Sequence, residues 1–492
     1  MTGGGPAARP WAALGVLCLG NYLILLDTSI VNTAAPALME SLGTGVDGLL
    51  WVLNGYLLAL ASLLIVFSRL GDRWGARTVF VAGLAVFALA SLLCALAQDT
   101  GQLVAARVVQ GVGAAAMLPQ ALVLITAVFP EQRRGAAFGV FTAVGGVAAV
   151  TGPTVGGVLV THVGWQSVFL LNVPLAVWGL AAARRFVPDV RVPRPRGFDL
   201  VGVGLVTFGL VALVYGLIEG ERHGWGRLAG PVTVPAVLVA GVLGLGLFVW
   251  WEHRHPVPLV PTALLRERSF AVAAVITLVT SFALHGFLLV FVITTQRALG
   301  MSPQLSGMTA LPWTLTLSAV APLAGRLSDR VDVRRLLGAG LLCHAAAVAA
   351  VALLAERDWT SWSYFWVLMA LGVGMGLTIA PTTSAGMRAV AAPLAGAASG
   401  VLNTARQVGA ALGAAVTGAV LQHRLDAAAP GGGAPAGSPS GGLAVSVPDA
   451  LLAAARPALG VSVLLLVLAA VATALMTPVR TTARSEKTAG VR

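Results

Sequence analysis

Lysine is almost missing from this chain: Lys487 is the single one among 31 basic residues. Charge of either sign is scarce, at 10% of 492 residues, while 57% are hydrophobic and the mean hydropathy is +0.88. That balance excludes an ordinary soluble domain and leaves a polytopic membrane protein. Cysteine is also rare. Cys18, Cys94 and Cys343 each lie inside an apolar run, which excludes a disulfide framework and a thiolate metal centre and leaves packing as their role. The pair His253 and His255 has no neighbouring ligands to complete a metal site. No glycine-rich phosphate loop and no nucleophile constellation is present, so neither a bound nucleotide, a cofactor nor catalysis is expected. The net charge of +12 would suggest nucleic acid on a soluble chain. Here its meaning depends on which loops carry it, and no nucleic-acid partner is expected.

What is present is apolar length. At ~20 residues per crossing, helices are expected near 12–36, 48–67, 78–97, 102–127, 136–160, 167–187, 199–218, 233–251, 270–293, 306–325, 336–355, 363–384, 397–421 and 457–476. These fourteen spans put both termini on one side. Of the 31 Lys and Arg, 23 fall on the alternate loops that include the N-terminus and 6 on the opposite loops, so the first set and both termini are expected in the cytoplasm. The first run follows Arg9 and precedes Ala35-Pro36-Ala37, as in a cleaved signal peptide. It is too long for one and contains Asp27, so a retained first helix is expected. Trp11, Trp51, Trp165, Trp225, Trp250, Trp251, Trp359 and Trp362 cluster near span ends, as interfacial anchors do. The dominance of Arg, Ala and Gly suggests a GC-rich bacterial genome and, with it, the inner membrane.

A charged knot, Arg69-Leu70-Gly71-Asp72-Arg73 followed by Arg77, returns as Arg326-Leu327-Ser328-Asp329-Arg330 followed by Arg334 and Arg335. The offset is 257 residues, and Gly139, Gly152 and Gly156 fall on Gly396, Gly409 and Gly413 at the same offset. The fold expected is therefore all-α: a six-helix bundle over 12–187, two inserted helices with connectors over 188–269, and a second six-helix bundle over 270–476. A flexible external loop is expected over 422–456, with cytoplasmic tails over 1–11 and 477–492. Two such halves permit alternating access. The knots, Asp72 with Arg73 and Arg77 and Asp329 with Arg330 and Arg334, are expected to bridge charges to helix ends in one conformation. Each such pair is weak alone, but a network formed in one state can bias an equilibrium.

Asp27 is the sharpest residue, an acid well inside a span, where a charge costs ~2.5–3.5 kcal/mol on insertion scales. A dry setting favours the neutral acid, so a carboxyl there can take and release a proton as its surroundings alternate between dry and wet. The alternative is a carboxylate held by a buried partner for packing only. Arg107, in the fourth span, cannot lose its proton and needs a partner or water. It can stabilise ionised Asp27, serve a water-filled proton path, or reach the membrane boundary. Gln110 offers an amide beside it, and the second half has no arginine at the matching place, near Leu368. Gly145, Gly152 and Gly156 make a smooth stripe on the fifth span with Gly157 beside it, and Pro153 permits a kink. The stripe serves close packing, gating or both. His285, next to Leu284 at the place matching Asp27, is either a second titratable site or a structural histidine. Arg406 and Gln407 face a cavity or reach the cytoplasmic boundary. Gln110, His285, Arg406 and Gln407 are the candidate cavity residues.

These motifs resemble the major facilitator superfamily, and within it the fourteen-span drug/proton antiporters. The knot at 69–77 resembles the signature between helices two and three, with Ser68 where a glycine usually opens it. Leu26–Pro36 resembles the first-helix motif, Arg107–Gly113 the helix-four motif, Gly152–Gly157 the antiporter motif of helix five, and Trp165–Pro174 the helix-six pattern, with Gln166 in place of its common arginine. The resemblance implies export of amphipathic drugs or antibiotics in exchange for protons, with Asp27 and Arg107 as the coupling pair and a single chain as the working unit. A dedicated exporter of one metabolite and a non-transporting membrane sensor fit the same residues.

Overall fold

In the computed structural model the described residues are 9–189, 199–255, 258–354, 359–428 and 447–476. The expected N-terminal tail in large part, most of the connector after 188, the middle of the loop at 422–456, and the C-terminal tail lie outside them.

Helix covers each expected span. The first half holds α1 (Pro10–Leu42), α2 (Val46–Trp74), α3 (Ala76–Ala95), α4 (Thr100–Val128), α5 (Glu131–His162), α6 (Gln166–Leu170) and α7 (Asn172–Phe186). Then come α8 (Leu200–Arg222), β1 (Arg227–Ala229), β2 (Val232–Thr233), α9 (Val234–Glu252) and α10 (Thr262–Arg266). The second half holds α11 (Arg268–Ile293), α12 (Pro303–Thr309), α13 (Leu311–Ser328), α14 (Val333–Leu354), α15 (Ser361–Arg388), α16 (Ala395–Ala428) and α17 (Val447–Ala472). Among the described residues twelve helices are long and apolar enough to cross a membrane, α6 and α7 counting as one. The expected spans α13 and α16 are outside that group. Asn403, Thr404, Arg406 and Gln407 reduce the apolarity of α16.

Local chemistry sets the boundaries. Asp99 caps α4 by accepting from the Gln102 N–H at 2.8 Å, and Thr233 and Ser302 cap α9 and α12. The chain turns from α2 into α3 through Gly75 at φ +95°, a conformation that favours glycine. Apart from one small hairpin, in which β1 and β2 pair antiparallel around a turn with Gly230 at φ +52°, the regular structure of the described residues is helical, as expected. Two expectations need correction. The loop at 422–456 is shorter than expected, because α16 runs on to Ala428 and α17 starts at Val447. Trp165 is buried and donates to Ser41 Oγ at 2.9 Å, and Trp251 donates to Asp199, so these two brace the interior.

The internal repeat is written in the packing. Gly113 of α4 lets Phe87 of α3 approach, and Gly374 of α15 does the same for His344 of α14; Gly111 faces Tyr56 of α2, and Gly372 faces Trp313 of α13. The halves meet at the end bearing both knots. An added Cβ on Gly139 of α5 would stand 2.6 Å from Pro322 Cα of α13, and one on Gly400 of α16 would stand 2.9 Å from Ser68 Cβ of α2. Backbones approach this closely only where side chains are small. The inserted α8 and α9 pack on each other, and α8 flanks α2 and α16.

Candidate functional site

Asp27 lies about 26 Å into α1 at 1.5 Å per residue, and its side chain turns into the first bundle. There it forms an ion pair with Arg107 of α4. The pair is sealed, with Asp27 0% and Arg107 1% exposed. Gln110 Nε2 donates to Asp27 Oδ1 at 2.8 Å, and Asn172 Nδ2 of α7 to the same oxygen at 3.1 Å. Arg107 Nε donates to the Val52 carbonyl at 3.1 Å and its Nη1 to Gln110 Oε1 at 2.6 Å. Gln110 also donates to Ser91 Oγ at 2.8 Å. The guanidinium rests on the Tyr56 ring, 4.4 Å from its centroid, where the negative ring face favours a cation.

Helical spacing builds this cluster. Gln110 follows Arg107 by three positions, so both side chains leave α4 on neighbouring lines. Gly111 lets α2 come close enough for Val52 and Tyr56 to reach the guanidinium. Gln110, expected in a cavity, is fully buried in the network because its amide completes both members of the pair. Asn172, Tyr56 and Ser91 were not singled out from sequence. The quoted motif 165–174 contains Asn172, a carboxamide inside an expected span, and that was the available signal.

Among the described residues the second half has no such cluster. The positions matching Asp27 and Arg107 are Leu284 and Leu368, and both pack into that half's hydrophobic core. The same architecture therefore closes with two leucines where the first half holds two charges.

The remaining candidates separate into groups. Gly145, Gly152 and Gly156 line the contact of α5 with α1; an added Cβ on Gly156 would stand 2.6 Å from Ile30 Cγ1, whereas Gly157 faces open space and Pro153 is exposed. At the first knot, Arg69 pairs with Asp72 at 3.2 Å and donates to the Pro258 carbonyl, Asp72 abuts Gly396 of α16, and Arg77 donates to the Arg184 carbonyl. Gly71 faces the Gln120 side chain. Arg73 lies one position beyond Asp72 in α2. At the second knot Asp329 pairs with Arg388 of α15 and accepts from the Gly135 and Ala136 N–H groups of α5 at 3.0 and 3.2 Å. Arg334 pairs instead with Asp332 at 2.8 Å, while Arg326 and Arg330 are exposed. Burial raises the Asp329 pKa above the ordinary carboxylate value, against the opposing influence of Arg388 and the two N–H donors. The hydrogen bonds from Arg334 lower that of Asp332. His285 Nδ1 lies 2.9 Å from the Ser281 carbonyl of its own helix, and Arg406 and Gln407 are half-buried in α16. An apolar crevice of about 90 Å³ between α2, α3 and α4, lined among others by Phe67, Leu70, Trp74 and Val86, holds no titratable group. No cluster of three metal-ligating side chains occurs among the described residues.

Duplicated helical halves, a contact between them at one end, and a sealed charge pair in one half define a multi-pass membrane transporter. The chain belongs to the Major Facilitator Superfamily, whose profile matches residues 17–414. It is similar to the multidrug resistance protein Stp of Mycobacterium tuberculosis, 36% identical over 83% of this chain and 75% of that protein. It is also similar to the tetracenomycin C resistance and export protein of Streptomyces glaucescens, 35% identical over 86% and 78%, and to the methylenomycin A resistance protein of Bacillus subtilis, 33% identical over 83% and 87%. Among solved structures, the human organic anion transporter MFSD10 (TETRAN) superposes with a TM-score of 0.61, covering 93% of this chain and 99% of that one at 15% identity; this likeness shows the fold.

Proposed function

We propose that the protein exports amphipathic small molecules from a bacterial cytoplasm across the inner membrane, one chain working alone, in exchange for protons. The observation that carries the coupling is the Asp27–Arg107 pair, sealed in one half where the other half packs Leu284 and Leu368. A scaffold that closes with leucines does not need the charges for folding, so their cost argues for work done by ionisation. On this reading the chain makes fourteen spans with both termini in the cytoplasm. The bundles over 12–187 and 270–476 rock about the glycine crossings, alternately joining at the knot end and parting there. Protonation of Asp27 from outside releases Arg107 and favours substrate release; deprotonation inside restores the pair. Each proton moving through 100 mV contributes ~2.3 kcal/mol, so no nucleotide is required.

The test is transport of a fluorescent amphipathic substrate in everted vesicles under an imposed pH gradient, for wild type and Asp27→Asn. The expected result is gradient-driven uptake by wild type and none by the variant. Equal transport by both places coupling elsewhere, with His285 next. A second reading, export of one self-made metabolite, is supported by relatives named for single antibiotics, tetracenomycin C and methylenomycin A. A substrate panel in which one compound alone is moved would favour it.

A further inference from the structure

The faces of α16 can be assigned one by one. Gly409 and Gly413 lie against Leu278 and Phe282 of α11, and Gly396 and Gly400 lie against Asp72 and Ser68 of α2 in the other half. Val408 packs on the outer cluster formed with α8. At 100° per residue, Arg406 points nearly opposite to Val408 and falls on the arc between the α11 face and the α2 face. α16 also meets α4 of the first half, so it stands where the two bundles face each other. Asn403, Arg406 and Gln407 stand at i, i+3 and i+4, so they share one side of the helix.

Each has bonding capacity left over. Asn403 Nδ2 donates to the Ser399 carbonyl at 2.9 Å, while its Oδ1, in a residue 1% exposed, has no partner. Among the described residues the Arg406 guanidinium and the Gln407 amide have neither an ion pair nor a side-chain hydrogen bond. The helix holds them in place: Ser281 Oγ donates to the Arg406 carbonyl at 2.7 Å, and His285 bonds one turn along from Ser281. Arg406 lies about 17 Å from the knot end of α16 at 1.5 Å per residue. It is a cation at membrane depth with no ion-pair partner among the described residues. The one mid-span carboxylate, Asp27, is consumed by Arg107, and the side of α1 turned away from Arg107 exposes the uncharged Leu25 and Asn32.

We infer that Arg406, Asn403 and Gln407 form the substrate subsite, and that the substrates are organic anions: apolar molecules bearing a carboxylate or an acidic phenolate or enolate. The planar guanidinium meets such an oxyanion with two parallel N–H bonds, the Gln407 amide N–H adds another, and the unpartnered Asn403 Oδ1, an acceptor, takes a hydroxyl of the substrate rather than its oxyanion. This inference rests on the export reading above and deepens it. It also fixes the energetics. One anion leaving while one proton enters moves two charges, so a membrane potential alone drives the cycle, whereas exchange of a monovalent cation for one proton is electroneutral.

The test uses the full chain in proteoliposomes with two probes, the anion fluorescein and the cation ethidium. Wild type is expected to move fluorescein under an imposed potential without a pH gradient. Arg406→Gln is expected to lose more than tenfold of that flux, and Arg406→Lys to retain a part. Gln407→Glu, which sets a carboxylate beside the guanidinium, is expected to lower the fluorescein flux and raise that of ethidium, a gain that an unfolded protein cannot show. Fluorescein flux undiminished in Arg406→Gln, or a flux ratio unchanged by Gln407→Glu, overturns the subsite. Wild type that moves ethidium but not fluorescein overturns the anion while leaving export standing. If wild type moves neither probe, the subsite and broad export fall together, leaving export of one metabolite.

Discussion

Asp27 and Arg107 are separated by 80 residues in the chain and share a contact from which water is excluded, with Gln110 and Asn172 completing the carboxylate. Removing one partner of such a pair typically costs ~3–5 kcal/mol, whereas replacing both by apolar groups can be neutral. The second half shows the apolar solution with Leu284 and Leu368. Arg107→Leu alone is therefore expected to lower the thermal midpoint in detergent, and Asp27→Leu with Arg107→Leu to recover it while abolishing proton-driven transport. A double variant as unstable as the single would make the pair a structural element.

Asn172 donates to the oxygen that Gln110 also serves. Asn172→Ala removes a hydrogen bond that favours the ionised carboxylate, at a stability cost of ~1 kcal/mol. Proton-driven transport is expected to fall with folding intact. Unchanged transport would show that this amide does not serve the pair.

Asp27 and Arg107 were legible in the sequence because a charge inside an apolar run is costly and therefore conspicuous. Their partners were not. Asn172, Ser91 and Tyr56 are uncharged, and nothing in one helix reveals which polar groups on three others will meet it. The knots show the same limit. Local reading grouped Asp329 with Arg330 and Arg334, its neighbours in the chain, and expected it to meet a helix end, as it does at α5; what it did not reveal is Arg388, brought from 59 residues away, with Arg334 left to Asp332. The long helices were visible from apolar length. The breaks that divide α6 from α7 and α12 from α13 lie within apolar stretches, where hydropathy carries no signal.

Glycine at the crossing of α5 and α13 sets how closely the halves can join. A Cβ on Gly325 would meet the Gly135 carbonyl, with the carbonyl carbon at 2.8 Å. Gly325→Val is expected to populate the state parted at the knot end. Spin labels at Glu131 and Leu327, both exposed, should report a longer distance than in the otherwise unsubstituted protein; an unchanged distance would mean that the crossing is not limiting.

The inserted helices reach the first knot through one loop. Glu252 accepts from the Leu259 and Val260 N–H groups at 3.0 and 2.8 Å, which presents the Pro258 carbonyl to Arg69. Bonds to a carboxylate of this kind are worth ~1.5–3 kcal/mol each. Glu252→Ala should therefore free the loop, raising amide exchange at residues 259–260 and loosening the Arg69–Asp72 pair. Exchange confined to the loop, with the knot unaffected, would separate the insert from gating.

The second knot carries its own pH response. Burial raises the Asp329 pKa in the joined state, and when the halves part the carboxyl regains water and its ordinary value near 3.8. The joined state then binds the proton more tightly, so acid favours joining: the stabilisation is complete below the ordinary value and is lost as pH rises through the raised one. Loss of the Arg388 attraction on protonation does not reverse this sign, because that attraction is already part of the net upward shift. The labels at Glu131 and Leu327 should thus show the short distance more often as the knot side is acidified from neutral pH. Asp329→Asn should remove the dependence, since an amide does not titrate. A short-distance fraction that falls on acidification would show that the ion pair with Arg388 outweighs burial, and that Asp329 holds the halves together as a carboxylate.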